Sequence, residues 1–438
     1  MKLKPLLLLM LIISLNTISL HAQEEATLTI SFPGDLRSEV VNDLIAQFVS
    51  AQSEEGREVT VIVNEPTDGY EDQLLLDFAA GASPDVFAVS PNSIAEFADA
   101  GLILPLDPYT SEWDEWQNFP EGIRGMTTIN DVNYAILHTT DTRVLWYRLD
   151  VFEAAGIDTP WQPTSWEDIF EAANAIQLAT PDVIPLEVQA GTLWGEGTTI
   201  DGFFMLLRGA GGIIYDPLDQ KWVVESDAIL QTFQFYIDMF ENNYSPEEPY
   251  LEPEPWVPFL QEALPDGELG IALGISALHQ LYAPDSDWAA IENRDDVLAW
   301  TPMPAREPGA GINGWDYVGM GGGWSWAIAS DTSDVDLAWE FVEFMSSADS
   351  ITAYTDVVGG IPTRTDVTTT DFNGALIEQV LPYQSFRPGN ADYPRISEEI
   401  QIATERILLG ETDAQVVMDT FASAVIDIVG EENTKAMP

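Results

Sequence analysis

Apolar positions along the first hundred residues after the N-terminal segment repeat with two alternating periods. Residues 27–32 form an apolar, β-branched run that predicts a strand, and Pro33, Gly34 and Asp35 predict the turn after it. Val41, Leu44, Ile45 and Phe48 then recur at the 3.6-residue spacing of one helix face. Residues 59–63 predict a second strand, 70–80 a helix closed by Gly81, 86–89 a third strand, and 93–100 a helix closed by Gly101. Strands alternating with helices imply an α/β layer around a mostly parallel sheet.

The pattern continues downstream. Thr164 and Glu167 read as a capping box that starts a helix running to about residue 178. Ser226 caps a helix whose buried stripe is Phe233, Tyr236, Met239 and Phe240. Residues 324–329 are strand-like, and from Asp334 the residues Leu337, Ala338, Phe341, Val342 and Met345 keep helical spacing. Residues 396–429 read as two helices broken at Gly410. Two stretches interrupt the rhythm. Residues 244–265, rich in Pro and Glu, predict an exposed excursion, and residues 302–314, rich in Pro and Gly, predict a crossing between lobes. A chain of 438 residues exceeds what one hydrophobic core usually serves, so two lobes are expected.

The N-terminus changes the setting. Lys2 and Lys4 precede an apolar run over residues 6–15, too short to span a bilayer, and Ala22 follows at a fitting distance for cleavage. This is the order of a secretory signal peptide, with 1–22 removed. The chain has no Cys, so no lipid-modified Cys can anchor the mature N-terminus. The expected location is periplasmic or extracellular, not as a lipoprotein. The net charge is -57, from 73 acidic and 16 basic residues. Such a surface repels nucleic acid and anionic membranes. The acidic residues are spread along the chain, as in a solvated acidic face, and form no blocks.

Enzyme signatures are mostly absent, although among 73 acidic residues an acid pair for glycoside hydrolysis stays open. The three His residues are His21, His138 and His279, and no HExxH, Cys pair, P-loop or nucleophile elbow occurs. No cofactor, metal site or catalytic residue is assigned. Binding signatures are better represented. Trp194 lies in GTLWG at 191–195, Trp315 in NGWD at 313–316, and Trp324 follows three glycines. An indole in such a setting offers a flat apolar face and one N–H donor, the makeup of a small-molecule cleft. Trp146, Trp166 and Trp339 lie on regular elements and are expected in the core.

Several segments, in order along most of the chain, together resemble family 1 of the extracellular solute-binding proteins, the maltose-binding-protein-like sugar carriers of ABC importers. They are YEDQLL at 70–75, GASPDV at 81–86, FADAGLILPLD at 97–107, VLWYRLDVFEAAG at 144–156, PTSWED at 163–168, AWEFVEFMS at 338–346 and GIPTR at 360–364. The chain departs from the pattern at Arg148, where Asn is usual, at His138, where Pro is usual, and at Ser276, where a ligand-stacking Trp is often found.

The resemblance implies a two-lobed, type II periplasmic-binding-protein fold with hinge crossings near residues 138–141, 300–305 and 357–361. Lobe 1 would comprise 23–138 and 304–357, and lobe 2 would comprise 139–303 and 358–438. The implied function is capture of a small polar solute, a sugar or oligosaccharide, in the cleft between lobes. The lobes would close on it, and a monomer would deliver it to the permease subunits of an ABC importer. A polyamine or other cationic solute is the alternative, and a secreted saccharide hydrolase a further one. Ligands of open α/β sheets sit at the carboxyl ends of strands, which selects the loops at 33–37, 64–70, 90–93 and 139–143. The expected ligand-binding residues are Glu65 and Asn92 from the first lobe, Asp141 and Arg143 near the hinge, Arg387 from the second lobe, and Trp194, Trp315 and Trp324 as stacking surfaces.

Overall fold

The computed structural model describes residues 25–438, apart from residues 68, 69, 92, 369 and 391. The signal segment therefore lies outside the described residues, as does Asn92. No helix among the described residues is long and apolar enough to cross a membrane.

The first lobe is built on a six-stranded sheet. Its order is Ile361–Pro362, Ala135–Thr140, Trp324–Ile328, Val86–Val89, Glu25–Ser31, Glu58–Asn64. Glu25–Ser31 pairs in parallel with Glu58–Asn64, from Glu25 opposite Glu58 to Ser31 opposite Asn64, and in parallel with Val86–Val89. Trp324–Ile328 enters antiparallel to both of its neighbours. The parallel sheet read from the sequence thus holds for the first three strands. Ala135–Thr140 keeps that direction, whereas Trp324–Ile328, which returns from the other lobe, and Ile361–Pro362 run against it, which local periodicity does not encode. Helix Ser38–Glu54 buries Val41, Leu44, Ile45 and Phe48 as its spacing predicts, and Phe48 meets Phe341 edge-on at 5.2 Å. Each such side chain contributes roughly 1.5–3 kcal/mol of burial.

The second lobe holds a four-stranded sheet in the order Leu298–Thr301, Arg143–Arg148, Leu269–Ile275, Ile184–Glu187. Trp146 and Tyr147 lie in its core. Helix Asp227–Glu241 starts at Ser226, whose hydroxyl accepts from the Ile229 N–H at 3.1 Å, and it buries Phe233, Tyr236, Met239 and Phe240. Helices Tyr393–Leu408 and Ala414–Val429 complete this core on either side of Gly410.

Three expectations are corrected. The capping box sits one residue later than read: Ser165 is the N-cap and Asp168 its partner, because the Ser165 hydroxyl accepts from the Asp168 N–H and the Asp168 carboxylate accepts from the Ser165 N–H. Residues 244–265 are not an exposed excursion. Tyr250, Phe259, Leu260 and Leu264 are buried in the second-lobe core, leaving the acidic residues outside. Residues 302–314 do not cross between lobes, since Leu298–Thr301 pairs with Arg143–Arg148 and Met303–Pro304 folds back onto Tyr317 and Val318.

The chain changes sheets elsewhere. Only Asp141 and Thr142 separate Ala135–Thr140 in the first sheet from Arg143–Arg148 in the second. The return passage is at residues 321–323, between Tyr317–Met320, packed in the second lobe, and Trp324–Ile328. Gly323 there has φ +110, and a Cβ would collide with the Thr139 carbonyl, so the position requires glycine. A third passage follows Ile361–Pro362: Val367 packs in the first-lobe core and Leu376 in the second.

Candidate functional site

The crossings place polar groups from both lobes beside one another. The Thr140 hydroxyl donates to the Gly322 carbonyl at 3.1 Å, which ties the first two passages together. Gln384 donates to the Asp141 carbonyl at 2.8 Å and accepts from the Thr142 hydroxyl at 2.8 Å. Ser276, where the family pattern often has a stacking Trp, is buried and accepts from the Thr142 N–H at 3.3 Å. It serves the crossing.

Arg143 is buried directly behind this point. It donates to Asp141 at 2.5 Å, to Asp201 at 2.6 Å and to the Met320 carbonyl at 3.2 Å. Burial would lower its pKa, but the two carboxylates hold it above the ordinary guanidinium value. Burial pushes the Asp201 carboxyl up against the pull of Arg143, and neighbouring Asp141 and Glu196 push it further. Arg143 is therefore saturated by protein partners, and it aims Asp141.

A second cluster centres on Glu196. One carboxylate oxygen accepts from Arg387 at 2.8 Å and from the Tyr393 hydroxyl, and the other accepts from Ser397 at 2.5 Å. Burial and the Glu196 charge raise the Tyr393 pKa well above that of a free phenol, so it remains a donor. Burial also works against the Arg387 charge, but Tyr393 and Glu196 hold its pKa above the ordinary value. Arg387 reaches further, donating to the Ser90 hydroxyl of the first lobe at 3.3 Å. Behind Ser90, the largely enclosed Glu71 accepts from the Ser90 N–H and the Ser93 hydroxyl, both at 3.1 Å. Burial raises the Glu71 pKa, although these donors and Arg387 pull it down.

Trp194 stands two residues before Glu196. Its ring faces Phe259 and meets Trp256 edge-on, each at 6.5 Å, and its buried Nε1 has no hydrogen-bond partner among the described residues. Gly191 and Gly195, both at positive φ, shape the loop that presents it.

The side chains of the remaining sequence-derived residues form no hydrogen bond or ion pair with these two clusters among the described residues, although Trp324 directly follows the return passage and pairs with Thr139. Trp324 is on the first lobe, half-buried, with the Arg37 guanidinium over its ring at 4.5 Å and Tyr70 in a T-shaped contact with it at 5.8 Å. Glu65 is exposed after strand Glu58–Asn64, near Asn42. Trp315 packs edge-on against Tyr383 at 6.0 Å on the second lobe. His138 is sandwiched by Trp326 and Tyr354, and burial, aided by Arg37, lowers its pKa to about 3. His279 stacks on Phe372 at 4.0 Å, and burial lowers its pKa to about 4. Both stay neutral.

The sequence reading missed Glu196, Glu71, Asp201, Tyr393 and Ser397. Glu196 had a usable signal, being the charged residue in the same Gly-bounded loop as Trp194. The others become neighbours only through tertiary packing. The arrangement supplies carboxylate acceptors, hydroxyl and guanidinium donors and one indole, a set suited to holding a polar molecule through many hydrogen bonds.

Comparison with known proteins agrees with this architecture. The family model for bacterial extracellular solute-binding proteins matches residues 37–351. The maltodextrin-binding protein MdxE of Bacillus subtilis (strain 168) is 20% identical over 412 residues, covering 88% of this chain and 86% of that protein. Among solved structures, the sugar-binding protein MalE of Xanthomonas citri superposes with a TM-score of 0.74 at 20% identity, covering 92% of this chain and 97% of that one. An ABC transporter solute-binding protein of Thermotoga lettingae bound with α-D-tagatose superposes with a TM-score of 0.72 at 24% identity, covering 92% and 100%.

Proposed function

Because the chain belongs to the family of bacterial extracellular solute-binding proteins, we propose that it captures a small polar solute, a sugar or oligosaccharide, between its lobes and delivers it to the permease subunits of an ABC importer. The observation that carries this reading is the meeting of Glu196 and Arg387 of the second lobe with Ser90 and Glu71 of the first, with Trp194 two residues before Glu196. A saccharide has apolar C–H faces and many hydroxyls, which complement an indole surrounded by carboxylates and donors. MdxE and the X. citri and T. lettingae proteins, described as maltodextrin-binding, sugar-binding and tagatose-bound, support the same ligand class.

In this reading Asp141, Trp194, Glu196 and Arg387 touch the ligand, and Arg143 positions Asp141. Ligand contacts to both lobes hold the closed form. The protein acts outside the cytoplasm, as a monomer, and transforms nothing. A thermal-shift titration with maltose, maltotriose, tagatose and spermidine tests it. A saccharide at a hundred times its Kd stabilises by about 2.7 kcal/mol. A shift with spermidine and none with any sugar overturns the saccharide assignment, and saccharide turnover by the purified protein overturns the carrier role.

A further inference from the structure

The second lobe carries an aromatic groove away from the Glu196 cluster. A cavity of about 640 Å³ is walled by Trp161, Trp300, Tyr317 and Tyr383, with Gln162 and Gln379 at its rim. Its walls come from segments packed in the second lobe: strands Leu298–Thr301 and Tyr317–Met320 and helix Asp371–Gln379. A second cavity, of about 330 Å³, shares Pro160 and Trp300 with the first. Trp300 thus borders both cavities.

We propose that this groove is a second binding site, for a neutral oligosaccharide, separate from the cleft between lobes. The rings are fixed by protein packing. Tyr147 and Phe152 hold Trp161, Phe372 meets Trp300 edge-on at 5.8 Å, and Tyr317 and Tyr383 lie 5.8 Å apart. Flat faces held in place take up sugar rings at small conformational cost.

The polar groups between them are unused. Among the described residues, the side chains of Gln162, Glu378 and Gln379 form no hydrogen bond or ion pair, and neither do the hydroxyls of Tyr317 and Tyr383. This differs from the Glu196 cluster, where each charged group already has protein partners. A purely apolar ligand would bury these groups unpaired, whereas a saccharide offers hydroxyls to them all.

Charge disfavours an acidic ligand, since Glu378 lines the groove without a cationic partner among the described residues. Arg294 in the second cavity is paired with Asp295 at 2.7 Å, so the groove offers no unpaired cation to an acidic sugar. The two cavities that share Trp300 select an oligomer over a monosaccharide. The proposal does not depend on which solute the cleft takes.

The test is a printed array of neutral linear α-glucans, β-glucans, xylans and mannans, read with the mature protein and with Trp300→Ala, the double variant Gln162→Ala/Gln379→Ala, and Trp194→Ala. The expected result is at least one glycan whose binding falls about tenfold or more in Trp300→Ala and also falls in the double variant, but is retained in Trp194→Ala. The double variant removes two exposed side chains without internal partners, so its loss of binding is not a folding defect. If no glycan shows that pattern, or if all glycan binding is lost with Trp194 and unaffected by Trp300, the groove is not a saccharide site. The latter result leaves the cleft reading intact, and loss confined to the groove variants leaves that reading to be judged by the thermal-shift titration.

Discussion

Arg387 and Ser90 meet across the cleft, the second-lobe guanidinium donating to the first-lobe hydroxyl at 3.3 Å. The same guanidinium is held by Glu196 at 2.8 Å, so one ion pair in the second lobe reaches a group of the first. A hydrogen bond to a charged group is worth about 1.5–3 kcal/mol. Arg387→Ala is expected to shift the ligand-free protein toward an open form and to weaken saccharide binding by about tenfold or more. Small-angle scattering should show a larger radius of gyration, and titration calorimetry the lower affinity. An unchanged radius together with an unchanged affinity would remove Arg387 from both roles.

Trp194 offers a buried indole N–H with no partner among the described residues. Trp194→Phe keeps an aromatic ring and deletes that donor. Binding of the saccharide that raises the melting temperature should weaken by about 0.5–1.5 kcal/mol, the usual net value of one hydrogen bond. Melting of the ligand-free protein should change little. Wild-type affinity in this variant would show that the N–H does not touch the ligand.

Glu187 ends strand Ile184–Glu187 fully buried, and neither carboxylate oxygen has a hydrogen-bond partner among the described residues. Burial raises its pKa well above the ordinary value, and Asp201 adds to the shift. The folded state then holds a proton that the unfolded chain releases above about pH 4.3. Stability linked to that proton is full below the unfolded value and is lost as pH rises toward the folded one. Glu187→Gln removes this linkage. The variant should match the wild type near pH 4 and exceed it at pH 8, measured by denaturant unfolding. A constant difference across that range would mean that Glu187 does not titrate as its burial requires.

The shifted capping box also has a measurable consequence. Ser165→Ala should cost about 1 kcal/mol, the common value for an N-cap. Thr164→Ala should cost less, because Thr164 bonds only the Asp168 side chain and precedes the cap. Equal losses in denaturant midpoints would contradict the assignment of Ser165.

Much of the first lobe was legible before its structure. The helix Tyr70–Ala80 and the strand Val86–Val89 have the bounds that their periodicity predicts. The helix after Ser226 begins on the cap residue that the sequence marks, and the helix read from Asp334 has that residue as its N-cap. The misreadings share one origin. Pro and Glu density at 244–265 describes the exposed half of that segment, and the buried half is set by where Tyr250 and Phe259 find a core. Pro and Gly density at 302–314 marks a tight turn, but a turn within a lobe and a passage between lobes look alike locally.

The sequence by itself therefore determined most of the elements, several of their caps and the membership of a two-lobed family. These follow from rules acting over a few residues, or from a pattern spread over the whole chain. Only the tertiary structure decided that the return passage falls at residues 321–323, that Arg37 lies over the ring of Trp324, and that Arg387 meets Glu196 and Ser90. Those two partners lie 191 and 297 residues away along the chain. Strand pairing and core packing set such separations, and the local spacing of side chains carries no record of them.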